Sequence, residues 1–235
     1  MSVFDLEGRK ALVTGGAKGL GAGMAEALAK AGASVMIGDV LEDEGRATAE
    51  AVGSGGVKTG FVKLDVTDDA NWEEAVAATA ETLGGFDILV NNAGIEISSL
   101  VVDLDPNDIR RMCEVNILGT ALGTKHGLRS MRPGGVAGTG GSVINISSVA
   151  ATIPFPGISG YSATKSAVDR FPELPPPSRA SSATESASTA STRVLSPRRW
   201  VSDSRRTWRS SVSGPAPKQQ SETSSASPRS AASVK

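Results

Sequence analysis

The feature that most constrains this chain is a glycine-rich turn between a short apolar segment and a strong helix-forming segment. Residues 10–14 have the pattern of a buried strand, and residues 22–31 favour a helix. Between them, the spacing G-x-x-x-G-x-G is formed by Gly15, Gly19 and Gly21. A strand, glycine turn and helix expose backbone N–H groups that can bind a pyrophosphate. The alternative is an ordinary βα turn that needs glycine for its backbone conformation.

A second apolar strand pattern, at residues 34–38, ends in Asp39, which is 18 residues beyond Gly21. A carboxylate at this place can accept hydrogen bonds from both ribose hydroxyls of an adenosine, and it would repel a 2′-phosphate. The pattern therefore favours NAD over NADP. Lys18 lies inside the glycine turn and weakly favours NADP instead, because its ammonium could pair with a phosphate.

Two further strand patterns complete a predicted parallel sheet. Residues 60–64 run into Asp65 and Val66, and residues 86–90 run into the sequence Asn-Asn-Ala-Gly. Strands that alternate with helical stretches, here at 68–83 and 105–131, indicate βαβ units. We expect an α/β fold with a Rossmann-like, doubly wound parallel sheet, in which ligands bind at the carboxyl ends of the strands.

Tyr161 and Lys165 are four residues apart, which places both side chains on one face of a helix. A tyrosine phenol alone holds its proton too tightly to exchange it at neutral pH. A neighbouring ammonium favours the phenolate, so the pair is a candidate acid and base. Alone, Tyr-x-x-x-Lys is a weak signal, and most instances are solvated helix surface.

Taken in order, these motifs resemble those of the short-chain dehydrogenase/reductase family. The resemblance covers about residues 1–171 and is closest to the NAD-linked hydroxysteroid and cyclic-alcohol dehydrogenases. Six motifs carry it: residues 14–21, Asp65-Val66, residues 91–94, Val115-Asn116-Ile117, residues 145–148, and Tyr161 with Lys165.

The resemblance implies a role for each of four catalytic residues. Tyr161 would be the general acid and base, and Lys165 would favour its phenolate and bind the nicotinamide ribose. Ser148, 13 residues before Tyr161, would bind the substrate oxygen in preference to Ser147. Asn116 would hold a water in a proton relay. In the alternative reading, Ser148 caps a loop and Asn116 satisfies buried backbone.

The resemblance also implies an NAD-dependent oxidoreductase that interconverts a secondary alcohol, apolar or cyclic, and a ketone. Ile153, Phe155, Pro156 and Ile158 suggest an apolar pocket wall or simple loop packing. The alternatives are an NADP-linked 3-oxoacyl-thioester reductase and a non-catalytic or inactive nucleotide-binding protein. The implied cofactor-binding residues are Gly15, Lys18, Gly19, Leu20, Gly21, Asp39, Asp65, Val66, Asn92, Ala93, Gly94, Tyr161 and Lys165.

Composition bounds the environment of the protein. The single cysteine, Cys113, excludes an internal disulfide and suits a reducing cytoplasm. The only histidine, His126, is expected on a helix surface, and without a Cys or His cluster a metal site is not expected. The first residues do not form a signal peptide, and no apolar run is long enough to span a membrane.

The chain changes composition after Phe171. Residues 172–235 contain 18 serines, 8 of the 12 prolines and 1 of the 27 glycines. They carry 10 basic and 4 acidic residues (net +6), against 14 and 21 (net −7) in residues 1–171. A segment this poor in apolar residues is predicted to be a disordered Ser/Pro/Arg-rich tail that adds no strand to the sheet.

Two explanations account for the tail. It is either a genuine basic arm for an acidic partner or the product of a reading-frame shift, because GCC alanine codons read one base late become CCG proline codons. The resemblance does not extend to the family's C-terminal strands, since residues 193–197 are only faintly similar to one of them, and we expect these strands to be absent. Family members form homodimers or tetramers through this region, so their assembly is in question here. A nucleic-acid partner is not expected, because the folded part is acidic.

Overall fold

The computed structural model describes residues 5–138, 140–153 and 155–171, and the backbone of residues 191–195. Its strands are β1 Lys10–Thr14, β2 Ser34–Asp39, β3 Thr59–Lys63, β4 Ile88–Asn91, β5 Ser142–Ile146 and β6 Ser191–Leu195. Its α-helices are α1 Gly19–Lys30, α2 Glu42–Gly53, α3 Asp69–Leu83, α4 Pro106–Met112, α5 Gly119–Met131 and α6 Ser159–Asp169. Of the helices in these described stretches, none is both long and apolar enough to cross a bilayer.

Within the described residues the strands form one parallel sheet in the order β3-β2-β1-β4-β5-β6. The chain moves outward in one direction from β1 to β3, then crosses back to β4 and continues to the other edge. This doubly wound order confirms the α/β, Rossmann-like prediction. Its switch point lies between β1 and β4, where a crevice opens beyond the carboxyl ends of the strands.

Alternation along each strand builds a core on both faces of the sheet. On β1, Leu12 packs with Trp72 and Val76 of α3, whereas Val13 packs with Ala25 of α1 on the opposite face. Because successive side chains of a strand point to opposite faces, an all-apolar strand must be covered on both sides. The helices provide this cover and leave the strand ends free for the site.

The segment predicted as one helix over 105–131 is interrupted. Asp105 caps α4 by accepting a hydrogen bond from the backbone N of Asn107 at 2.8 Å. A π-helical turn, Cys113–Leu118, then separates α4 from α5. Wider turns of this kind often occur at functional sites, and this one contains Asn116.

The prediction that residues 172–235 add no strand is wrong for Ser191–Leu195. These residues pair in parallel with β5 over its whole length, from Ser142 opposite Ser191 to Ile146 opposite Leu195. The edge of β5 offers unpaired backbone N–H and C=O groups, and a short segment rich in β-branched residues can complete that ladder. Residues 172–190 and 196–235 lie outside the described residues, so the predicted tail stays a prediction there.

The prediction of a surface position for His126 is also wrong. His126 is buried on α5, with its ring parallel to Trp72 at a centroid distance of 6.4 Å. Its Nε2 lies 2.7 Å from Oδ1 of Asp69, the first residue of α3. The pKa of Asp69 is lowered to about 2, mainly by a hydrogen bond from Lys125 and to a smaller extent by one from His126. The imidazole is thus a packing and hydrogen-bonding link between α3 and α5.

Candidate active site

The glycine turn brings β1 and the start of α1 unusually close to the end of β4. Gly15 and Gly19 have φ values of 63° and 58°, which glycine adopts without strain. A Cβ on Gly21 would overlap the carbonyl oxygen of Gly15 and lie 2.6 Å from Nδ2 of Asn92. A Cβ on Gly19 would meet no described atom within 4 Å, so the turn is open at this point. The glycines thus provide both the close approach and the open backbone that a pyrophosphate needs.

We expect Gly21→Ala to lower the free energy of unfolding by about 1–3 kcal/mol, the usual cost of overpacking. The added methyl would press on the Gly15 carbonyl and the Asn92 amide, which are already hydrogen-bonded to each other at 3.1 Å. Urea unfolding measures the change. Gly23→Ala is the matched control, because Gly23 is in the same helix with no described atom within 4 Å of its Cβ position. It should be neutral or slightly stabilising, and equal losses in the two variants would contradict the packing argument.

Thr14 and Asn92 hold this turn in place. Oγ1 of Thr14 accepts hydrogen bonds from the backbone N of Asn92 at 3.1 Å and of Ala93 at 3.0 Å. In return, Nδ2 of Asn92 donates to the carbonyl of Thr14 at 2.9 Å. Thr14 was not among the predicted site residues, although its position directly before Gly15 was a usable signal. These bonds fix the floor of the crevice between β1 and β4.

Asp39 stands at the end of β2, facing the crevice. Its two carboxylate oxygens accept hydrogen bonds from the backbone N of Ala17 at 3.0 Å and of Leu41 at 3.1 Å. Each oxygen keeps a further lone pair for a ligand hydroxyl. Lys18, the possible phosphate partner, instead forms an ion pair with Glu44 at 2.8 Å.

One cleft of about 930 Å³ unites the predicted residues at the carboxyl ends of the strands. Gly19 and Asn116 are absent from its lining, and Asn116 lies fully buried behind it. Ile153, Phe155, Pro156 and Ile158, the suggested apolar wall, are also absent from the lining. The predicted residues that line the cleft are Gly15, Lys18, Leu20, Gly21, Asp39, Asp65, Val66, Asn92, Ala93, Gly94, Ser148, Tyr161 and Lys165.

Tyr161 and Lys165 lie one turn apart on α6 and both reach the cleft. Lys165 is only 5% exposed, and its Nζ donates a hydrogen bond to the carbonyl of Ile146 at 2.9 Å. The same Nζ is 5.9 Å from the centroid of the Tyr161 ring. Burial lowers the pKa of Lys165 to about 8. A cation therefore stands beside the phenol in a largely water-free position.

The two serines after β5 are used differently. Ser147 is buried, and its hydroxyl donates to the carbonyl of Lys165 at 3.1 Å, which joins β5 to α6. Ser148 is partly exposed in the cleft, and its Oγ accepts a hydrogen bond from the backbone N of Ala150 at 3.1 Å. That bond leaves the hydroxyl hydrogen of Ser148 available to a ligand. The geometry is consistent with the choice of Ser148 over Ser147, although Ser148 also caps its loop.

Asn116 is held on several sides within the π-helical turn. Its Oδ1 accepts from the backbone N of Ile95 at 2.8 Å, and its Nδ2 donates to the carbonyl of Ile95 at 2.9 Å. The backbone carbonyl of Asn116 accepts from the hydroxyl of Thr120 at 2.8 Å. The side chain therefore satisfies buried backbone, as in the alternative reading.

Sequence reasoning missed several cleft residues. Glu96, Arg111 and Glu114 line the cleft, as does Ile95. They follow no chemical motif, because their placement depends on how the loop after β4 and the helix α4 pack over the strand ends. Glu96, Arg111 and Glu114 add charges of both signs to the rim of the cleft.

Comparison with known proteins agrees with this geometry. The family model of short chain dehydrogenases matches residues 9–174. This chain belongs to that family. It is 44% identical over 161 residues to trans-4-hydroxycyclohexanecarboxylate dehydrogenase of Sinomonas cyclohexanicum, covering 66% of this chain and 60% of that protein. It is 39% identical over 163 residues to 3-alpha-(or 20-beta)-hydroxysteroid dehydrogenase of Mycobacterium bovis, covering 69% and 60%.

One solved structure has a fold similar to that of this chain. It is a gluconate 5-dehydrogenase from Burkholderia cenocepacia in complex with NADP and tartrate, with 34% identity and a TM-score of 0.64. The match covers 70% of this chain and 63% of that one. The chain spans about 60% of the length of each of the two curated relatives reported in the preceding paragraph.

Proposed function

We propose that this chain carries the cofactor-binding and proton-transfer parts of an oxidoreductase that interconverts a secondary alcohol and a ketone with NAD. The observation that carries the proposal is the shared cleft, in which Tyr161, Lys165 and Ser148 face the same space as the glycine turn and Asp39. Membership of the short-chain dehydrogenase family supports the same chemistry.

The residues present fit a nicotinamide dinucleotide. At the start of α1, the cap residue Lys18 makes no side-chain cap hydrogen bond, so first-turn backbone N–H groups are available to the pyrophosphate. Asp39 would hold the adenosine ribose, and Lys165 would hold the nicotinamide ribose. When bound, the nicotinamide supplies or accepts the hydride, and the protein provides orientation and a proton.

The proton would move through Tyr161. In the reducing direction its phenol donates a proton to the substrate oxygen, and in the oxidising direction its phenolate removes one. The hydroxyl of Ser148 would donate a hydrogen bond to the same substrate oxygen, which stabilises the charge that develops there. The buried ammonium of Lys165 lies 5.9 Å from the centroid of the Tyr161 ring and would attract the negative charge that forms on the phenolic oxygen when the proton leaves. The relay water implied for Asn116 stays a prediction, because the side-chain amide is already bonded to Ile95 and Thr164.

Cofactor choice depends on Asp39. We expect Asp39→Ala to weaken NADH binding by about tenfold or more, because charge-assisted hydrogen bonds to the ribose are lost. The same change should narrow the gap between NADH and NADPH, because a 2′-phosphate is no longer repelled. Fluorescence titration of each variant with both cofactors measures these effects.

Asp43→Ala is the matched control for that experiment. Asp43 is exposed in the first turn of α2, four residues from Asp39, and is not among the residues that line the cleft. Its loss should leave both affinities nearly unchanged. If the unaltered protein bound NADPH at least as tightly as NADH, the proposed role of Asp39 would be wrong.

The substrate class is proposed from the relatives together with the site. Two of them act, by name, on a hydroxycyclohexanecarboxylate and on hydroxysteroids, which are secondary alcohols of ring-containing molecules. We therefore propose a cyclic or otherwise apolar secondary alcohol, with the alcohol oxygen between Tyr161 and Ser148. A panel of cyclic, steroidal and acyclic alcohols and ketones, assayed by NADH absorbance, tests this proposal.

Two other functions have specific observations in their favour. The NADP in the similar gluconate 5-dehydrogenase structure favours an NADP-linked reductase, for example of 3-oxoacyl thioesters. The second is a nucleotide-binding protein without turnover, because residues that would hold a dinucleotide line the cleft whereas the suggested apolar substrate wall does not. Tight NADPH binding with thioester reduction would support the first. NADH binding without turnover on any of the substrates would support the second.

We propose a cytoplasmic location and a homo-oligomeric assembly. The single cysteine supports a reducing compartment, and family membership supports assembly. Cell fractionation tests the proposed location, and light scattering on the purified chain tests the proposed assembly.

A further inference from the structure

Thr164 lies between the two residues of the Tyr-x-x-x-Lys motif, and only 2% of it is exposed. Its Oγ1 accepts a hydrogen bond from Nδ2 of Asn116 at 2.9 Å. The same hydroxyl donates its hydrogen to the backbone carbonyl of Tyr161 at 2.8 Å. One buried hydroxyl therefore links the side chain of Asn116, in the π-helical turn, to the helix that carries Tyr161 and Lys165.

The bond that Asn116 donates to Thr164 completes the hydrogen bonding of the Asn116 amide group. A side-chain amide has two N–H donors, and those of Asn116 go to the carbonyl of Ile95 and to Thr164. Asn116 is fully buried, so losing either acceptor leaves a donor without a partner, which is costly in a water-free position. The amide would then rotate or shift, and its bonds to Ile95 would weaken with it.

The orientation of Asn116 also bears on the surroundings of Lys165. A Cβ on Gly94 would lie 3.2 Å from Oδ1 of Asn116 and 3.3 Å from Nζ of Lys165. The backbone at Gly94 and Ile95, the Gly94–Ile95 corner, is therefore packed directly against both side chains. Ile95, the next residue, is bonded to Asn116 through both its backbone N and its carbonyl. A shift of Asn116 would therefore move the wall against which the Lys165 ammonium is packed.

We propose that Thr164 is a positioning residue that fixes the Asn116 side chain, and with it the Gly94–Ile95 corner, against the helix of Tyr161 and Lys165. Its effect on catalysis rests on the proposed function, whereas its effect on Asn116 does not. The role requires a hydroxyl, because the group must accept one hydrogen bond and donate another. Serine can replace threonine in this role, but valine and alanine cannot.

Amide hydrogen exchange tests the positioning itself, without any need for turnover. In Thr164→Val, we expect the Ile95 amide, which donates to Oδ1 of Asn116 at 2.8 Å, to exchange about tenfold faster or more. Strand amides of β1 should be unchanged after correction for global stability. Thr79→Val is the matched control, because Thr79 is also a buried helical threonine whose hydroxyl donates to a carbonyl, that of Ala75 at 2.6 Å. It should leave Ile95 protected.

Kinetics test the consequence for catalysis. We expect Thr164→Val to lower kcat by about tenfold, to leave the KM for NADH nearly unchanged and to alter the shape of the pH–rate profile. Thr164→Ser should restore all three. A merely structural role would reduce the fraction of active protein, which lowers the rate by the same factor at every pH. We expect any effect of Thr79→Val to be of this kind.

Each outcome decides the proposal. Unchanged exchange at Ile95 in Thr164→Val overturns it, and so does loss of protection in Thr164→Ser. If the Ile95 amide of Thr164→Val exchanges faster but the pH–rate profile is unaltered, the proposed effect on catalysis is wrong, whereas the positioning of Asn116 by Thr164 is supported. If the parent protein has no turnover, the proposed function fails, while the exchange experiment still tests Thr164. If Thr164→Val does not fold, Thr164→Ala removes the hydroxyl without placing a methyl in its position, and the same exchange result is expected.

Discussion

Tyr161→Phe is expected to lower turnover by about 10²–10⁴-fold, while the affinity for NADH stays nearly the same. The change removes only the phenolic oxygen, and general acid–base catalysis by one positioned group contributes a factor of this size. Tyr161 is the only tyrosine in the chain, so no neighbouring phenol can take over the proton transfer. The measurement is steady-state turnover on the best substrate of the alcohol and ketone panel, with NADH binding measured separately by fluorescence.

The comparison of kcat with binding separates this role from a structural one. A loss in kcat and in kcat/KM of equal size indicates an interaction made only in the transition state. Ser148→Ala should show a smaller loss of the same kind, because it removes one hydrogen bond to the substrate oxygen rather than the proton donor. Near-normal turnover in Tyr161→Phe would show that another group transfers the proton and would overturn the assignment.

Local patterns were sufficient to predict the cofactor half of the fold. The strand at residues 10–14, the glycine spacing and the carboxylate at Asp39 are close in sequence, and backbone sterics and strand alternation decide their structure. β1 and α1 therefore lie at or within a few residues of where the sequence places them. The parallel order of the strands follows from the alternation of strands and helices, because parallel strands need crossover connections.

The features that the sequence did not predict depend on contacts between distant residues. His126 carries no local signal of burial, because its place is decided by the ring of Trp72 and the carboxylate of Asp69 on another helix. The strand β6 was missed because apolar periodicity is weak in residues 191–195, whereas the open edge of β5 supplies the pairing. The link from Thr164 to Asn116 joins residues 48 positions apart, and a spacing motif cannot report it.

Lys165→Met is expected to abolish turnover and yet to stabilise the fold at neutral pH. Turnover falls because the cation beside the Tyr161 ring, for which we propose binding of the nicotinamide ribose, is lost. Stability rises because burial lowers the pKa of Lys165 from its ordinary value of 10.5 to about 8, so keeping the ammonium charged in the fold costs free energy. A difference of this size corresponds to about 3 kcal/mol, and the lost hydrogen bond to the Ile146 carbonyl offsets about 1 kcal/mol of it.

The pH dependence gives this prediction a definite sign. Below about pH 8, Lys165 is protonated in both the folded and unfolded states, so the folded state carries the whole cost of the buried charge. Between about pH 8 and 10.5 the folded state releases its proton first, and the cost fades as the pH rises. The advantage of Lys165→Met over the parent should therefore be largest near neutral pH and should decrease toward pH 10.5.

Urea unfolding of both proteins near pH 7 and near pH 10 measures this difference. Lys30→Met is the control, because Lys30 is exposed on α1 and pairs with Glu26 only at the surface, so its loss should change stability little at either pH. A Lys165→Met protein that is less stable than the parent near pH 7 would show that the ammonium is held by favourable contacts rather than tolerated. Because the proposed chemistry requires a charge that the fold disfavours, a lysine that costs stability is the expected result for a residue kept for function.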